Sequence, residues 1–136
     1  MISREQALQF ADEWVAAWNA HDLDAVLEHY TEDFEMSSPF ILQMGISPDG
    51  SLKGKENVRN YWEKALVKYP DLHFELHEVL SCVNTVIIYY TSVMGKKAAE
   101  FFVFNEDGNV FLAMGHYNYE NTGKAQFGNF CFEVQP

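Results

Sequence analysis

GKENVRNYWEKALVKYPDLHFELHEVL, residues 54–80, changes its hydrophobic period in mid-course. Up to Tyr69 the apolar positions are Val58, Trp62, Ala65, Leu66 and Tyr69, which is helical spacing, and Pro70 ends the run. From Leu72 the period is two. Leu72, Phe74, Leu76 and Leu80 alternate with His73, Glu75 and His77, as in a strand with one buried face. The chain therefore divides into a largely helical first half and a strand-built second half.

Reading toward the C-terminus, strands are predicted over roughly 84–93, 97–105 and 109–119, with Asn105-Glu106-Asp107-Gly108 as a hairpin turn. Reading toward the N-terminus, Ser3 and Gln6 form a capping box that opens a helix running to about Asn19. Its two stripes, Leu8/Ala11/Val15/Trp18 and Ala7/Phe10/Trp14/Ala17, make one broad apolar face. Asp22 caps a second short helix with Leu23, Val26, Leu27 and Tyr30 inward. Thr31-Glu32-Asp33 reads as a turn, and Phe34 to Ser38 as a short strand stopped by Pro39. Residues 40–53 carry turn signals but also Phe40, Ile41, Leu42, Met44 and Ile46. A loop this apolar is expected to fold over something, either a pocket mouth or a subunit interface.

With 136 residues, this is one domain, 1–136, with a core of about 5–119 and a docked tail over 120–136, where Phe127, Phe130 and Phe132 are too apolar for a free end. The class is α+β: helices gathered against a mostly antiparallel sheet that buries one face on them. Nine Lys+Arg against 20 Asp+Glu give a net charge of −11, which argues against nucleic acid and anionic membranes as partners. No apolar run reaches the ~20 residues of a membrane span, and no signal-peptide core is visible, so a cytoplasmic protein is expected. Cys82 and Cys131 fit no zinc spacing and read as reduced, partly buried thiols.

The order of elements, with its motifs, resembles the nuclear transport factor 2-like superfamily, which includes ketosteroid isomerases and SnoaL-like polyketide cyclases. The resemblance is carried by residues 14–24 (WVAAWNAHDLD), by Tyr30-Thr31-Glu32-Asp33-Phe34, by Leu52-Lys53-Gly54-Lys55-Glu56 before a helix, and by residues 104–110 (FNEDGNV). It implies a cone-shaped, curved sheet wrapped on three N-terminal helices, the cystatin-like roll, with a closed-ended cavity. It also implies a homodimer through the outer sheet face.

Three positions follow from the isomerase pattern. The general-base position, just before the Pro ending the first strand, holds Ser38. The helix-1 Tyr that donates to an enolate oxygen is matched by Trp14, and the protonated Asp on a late strand by Glu100. With two of three catalytic groups replaced, steroid isomerisation is not expected. The resemblance further implies that Trp14, Trp18, Tyr30, Trp62 and Tyr117 line the cavity, converging with Ser38 and Glu100 into an apolar wall with a few polar points. That is the composition of a site for a small apolar or aromatic molecule.

Glu100 lies in Ala98-Ala99-Glu100-Phe101-Phe102-Val103-Phe104. Strand parity puts it with Phe102 and Phe104 on one face. Two readings stand: a buried acid/base with a raised pKa, or a sheet-edge carboxylate paired with Lys96, Lys97 or a Tyr. His73-x-Glu75-x-His77 is a poor metal motif, because on a strand its two histidines lie roughly 13 Å apart. His116 is expected on the face opposite Tyr117, and His21 and His29 at the surface. No nucleotide, nucleophile-elbow or zinc-protease motif is present, so neither a metal nor a cofactor is expected. The sequence thus points to a small-molecule-binding domain. Beside it stand a cofactor-free isomerase, cyclase or dehydratase using Glu100, and a non-catalytic dimeric interaction module.

Overall fold

A computed structural model describes residues 1–118. Helix α1 (Arg4–Asn19) begins at the capping box: Ser3 Oγ accepts from Gln6 N at 3.1 Å, and Gln6 Oε1 accepts from Ser3 N at 2.9 Å. His21 leaves the helix in the left-handed region (φ 56), and Asp22 caps α2 (Leu23–Leu27) by accepting from Ala25 N. Strand β1 (Tyr30–Ser37) leads to α3 (Pro39–Gln43), β2 (Ser51–Lys53) and α4 (Lys55–Lys68). Then come β3 (Glu75–Ser81), β4 (Thr85–Thr91), β5 (Lys97–Phe104) and β6 (Val110–Tyr117).

The six strands form one curved sheet in the order β2-β1-β6-β5-β4-β3. Every neighbouring pair is antiparallel except β1 with β6. The helices lie on the concave face, giving the α+β architecture expected. Phe10 and Trp14 of α1 meet Phe102 edge to face, with centroids 4.8 and 5.4 Å away, and Phe10 meets Phe104 in the same way. The β5–β6 hairpin turns where expected: Asn105 Oδ1 accepts from the amides of Asp107 and Asn109, and Gly108 supplies φ 81.

Several local readings need correction. Thr31–Asp33 is strand, not turn. β1 runs on through it with a register irregularity between Tyr30 and Glu35, and the pairs on either side, Tyr30 with Val110 and Glu35 with Leu112 of β6, hold the segment extended. Pro39 starts a helix instead of only stopping a strand. It occupies the first turn of α3, where no amide is needed, and Ser38 Oγ accepts from Phe40 N. In β3 the register slips between Leu76 and Glu78. One extra residue inverts the alternation, so Val79 is buried while Leu80 is 54% exposed. On α1, Leu8 is exposed and Val15 only half-buried, because the core-facing stripe is centred on Ala7, Ala11, Trp14 and Trp18. His29 is half-buried against the edge of Phe10, which lowers its pKa by desolvation. Cys82 is exposed, since it lies in the β3–β4 turn. Cys131 and the phenylalanines of the tail lie outside the described residues.

Candidate functional site

Glu100 sits in mid-strand on β5, opposite Ile88 of β4 and Gly115 of β6. Its parity is the one read from the sequence: Glu100, Phe102 and Phe104 face inward, and the carboxyl is 2% exposed. Gly115 makes this possible. A Cβ there would stand 3.0 Å from Glu100 Oε1 and 3.3 Å from the ring of Tyr117, so a side chain would crowd the carboxyl.

Burial pushes the Glu100 carboxyl up to about 8, and a hydrogen bond from the Tyr90 hydroxyl (3.4 Å to Oε1) pulls back against it. The sheet-edge placement does not hold, because Glu100 lies in mid-sheet with β4 on one side and β6 on the other; of the partners weighed for it, a tyrosine is the one present, while Lys97 turns to Thr91 and His77. Around the carboxyl is a cluster of hydroxyls. Polar contacts run from Glu100 to Tyr90, Tyr90 to Tyr117, Tyr117 to Ser38 and Ser38 to Tyr61. Burial raises the pKa of each of these tyrosines, most strongly by desolvation, and the nearby Glu100 charge adds to the shift. They therefore remain neutral hydrogen-bonding groups.

Glu100 and the three tyrosines border a cavity of about 50 Å³. Trp14, Trp18, Trp62, Glu100 and Tyr117 border it, whereas Tyr30 and Ser38 do not. Ser38, 4% exposed, caps α3 and touches the hydroxyls of Tyr61 and Tyr117, which do border it. Tyr30 accepts the indole N–H of Trp14 at 3.0 Å. Trp14 therefore offers the cavity its ring and not its donor, unlike the enolate-holding group implied at that position. Trp18, one helical turn further on, differs: its Nε1 is buried with no partner among the described residues. An unpaired buried donor of this kind costs about 1–3 kcal/mol.

The apolar segment 40–53 lines the cavity through Phe40 and Met44, with Phe40 4.6 Å from the ring of Tyr117. Tyr90, Tyr61 and Gly115 were not singled out in the sequence. The first two were within reach. Tyr61 fits the helical series Val58, Tyr61, Trp62, Ala65, and Tyr90 shares the parity of Val86 and Ile88. Gly115 had no local signal, because its role exists only across the β5–β6 register.

No group of three or more His, Cys, Asp or Glu side chains among the described residues could hold a metal ion. His73, Glu75 and His77 are all exposed; His73 precedes β3, Glu75 and His77 lie on that bulged strand, and His77 Nε2 lies 2.6 Å from Thr91 Oγ1. His116 is exposed on the face opposite Tyr117. Among the described residues no helix is long and apolar enough to cross a membrane.

Comparison with known proteins agrees with this architecture. A SnoaL-like protein of unknown function from Burkholderia thailandensis is 49% identical, with a TM-score of 0.83 over 87% of this chain and 98% of its own. An NTF2-like protein of unknown function from Cytophaga hutchinsonii (17% identity, TM-score 0.64, 87% and 92% covered) shares the fold. So does IdmH, a candidate polyketide cyclase from Streptomyces antibioticus (14% identity, TM-score 0.70, 83% and 92% covered). No curated protein matches the chain. The SnoaL-like domain profile matches residues 11–124, and the chain belongs to the SnoaL-like domain family.

Proposed function

We propose that this cytoplasmic SnoaL-like domain takes a small, largely apolar molecule into the cavity and moves a proton on it through Glu100, with no cofactor. The observation that carries the reading is a fully buried carboxyl bordering the cavity, held near neutrality by desolvation. Near pH 8 such a group is present in both protonation states, which suits proton removal at one carbon and return at another. Isomerisation uses both halves of that step; an aldol-type cyclisation begins with the same removal and returns the proton to the new alkoxide oxygen, and a dehydration returns it to the hydroxyl that leaves as water. The fold likeness to a candidate polyketide cyclase is in keeping with it. At about 50 Å³ the resting cavity is smaller than a six-membered ring needs, so entry displaces Phe40 and Met44, both only half-buried.

The test is hydrogen–deuterium exchange next to the carbonyl of small apolar ketones in D₂O, followed by NMR. The parent is expected to accelerate exchange, and Glu100→Gln to bind the same ketone without accelerating it. Binding with no exchange by the parent would leave a binding protein and remove the acid/base role.

A homodimer through the outer sheet face is proposed beside this. Leu80, Ile87, Phe101 and Met114 lie in register across four strands on that face, none fully buried. A second copy covering at least ~1,000 Å² in total would account for the row. A single 15.7 kDa species by light scattering at micromolar concentration would overturn it.

A further inference from the structure

Trp14 and Trp18 occupy successive turns of one face of α1, and both border the cavity. Their indole donors nevertheless have opposite fates. The N–H of Trp14 is engaged by the Tyr30 hydroxyl, and that of Trp18 is buried without a partner among the described residues. The rings around Trp18 are Trp14, Trp62 and Phe74, with centroids 5.0–6.3 Å away. Phe74 carries no polar atom, and Trp14 has none free. A water placed there would find few of the two to four partners that hold buried water, and would be displaced readily. The unmatched group is a donor, so what completes it is an acceptor. A charged acceptor would be stranded among aromatic rings with no cation beside it, which leaves a neutral oxygen.

Resting on the binding reading above, we infer that the indole N–H of Trp18 recognises the ligand, so that the cavity selects a compact apolar ring bearing a carbonyl oxygen over a hydrocarbon of the same shape. Trp14 neighbours both polar points: its ring lies 6.3 Å from that of Trp18 and 5.3 Å from that of Tyr90, whose hydroxyl reaches Glu100.

The experiment uses cyclohexanone and methylenecyclohexane, which differ only in C=O against C=CH₂. Each is titrated into ¹⁵N-labelled full-length protein while the indole N–H signals of the three tryptophans are followed. The ketone is expected to move the Trp18 proton downfield, and the alkene is not. Trp18→Phe, which keeps a ring and removes the donor, is expected to weaken ketone binding about fivefold while alkene binding stays within about twofold. The parent titration alone decides the matter if that variant fails to fold. Ketone binding with an unmoved Trp18 signal, or equal losses for both probes in the variant, would overturn this inference and leave the binding reading standing. If neither probe perturbs any of the three indoles, both fail together.

Discussion

The two faces of β5 carry Glu100, Phe102 and Phe104 on one side and Ala99, Phe101 and Val103 on the other. By composition they are similar, and a carboxylate looks out of place on either. The inner face nevertheless holds it, because α1 covers that face with Phe10 and Trp14, while β6 supplies a glycine opposite the carboxyl. The outer face, more apolar, is left half-buried. Burial in this molecule is decided by what packs on a face and not by its own hydrophobicity. The inner face tolerates an acid because the acid can stay protonated there.

The sharpest way to break the comparison is to truncate neighbouring phenylalanines. Phe102 is fully buried among α1 side chains, and Phe102→Ala is expected to cost about 3–5 kcal/mol in chemical denaturation. Phe101→Ala, one residue away, is expected to cost about 1 kcal/mol at concentrations where the chain is monomeric. Equal losses would mean that the outer face is packed as well.

A second expectation concerns charge. The folded protein holds the Glu100 proton more tightly than the unfolded chain does. Stability is therefore full below the unfolded carboxyl's value, near 4.5, and falls as pH climbs through about 8. The loss is on the order of a few kcal/mol. Glu100→Gln lacks this loss and is expected to match or exceed the parent above pH 7. A Glu100→Gln protein clearly less stable at pH 8 would show a carboxylate satisfied as an ion. The cavity would then have no acid to offer.

Gly115→Ala probes the room made for that acid. The added Cβ meets a flexible carboxyl end at 3.0 Å and a ring at 3.3 Å, so a cost of about 1–2 kcal/mol is expected. Most of it should disappear in the Gly115→Ala/Glu100→Ala pair if the carboxyl is what is crowded. Additive costs would place the strain at Tyr117 instead. The smallest effect on folding is expected from Leu80→Asp on the outer face. It should change monomer stability by less than about 0.5 kcal/mol while abolishing self-association in sedimentation.

Much of the site was legible because it rests on periodicity. The parity of Glu100 with Phe102 and Phe104, the tryptophans of α1 and the position of Trp62 all follow from periods of 2 and 3.6 that depend on neighbours in the chain. The same rule failed at Leu80, where one extra residue at His77 reversed the alternation, since a bulge is a property of the pair of strands and leaves no mark on one of them. Tyr30 and Ser38 were expected to line the cavity but do not border it: Tyr30 engages Trp14, and Ser38 touches Tyr61 and Tyr117, which do. Whether an aromatic or a hydroxyl borders a space or stands next to one that does depends on distances of a few ångströms between elements.

By itself the sequence determined the class of fold, the capped first helix, the 105–108 turn and the face on which Glu100 lies, because each is a local preference repeated over several residues. Only the tertiary structure decided that Gly115 makes room for the carboxyl, that Tyr90 is its hydrogen-bond donor, and that Tyr30 engages Trp14 while Trp18 finds no partner among the described residues. Each of these joins residues that are distant in the chain, through sheet register or helix packing. The energy of such a contact belongs to the pair, so neither residue carries it alone.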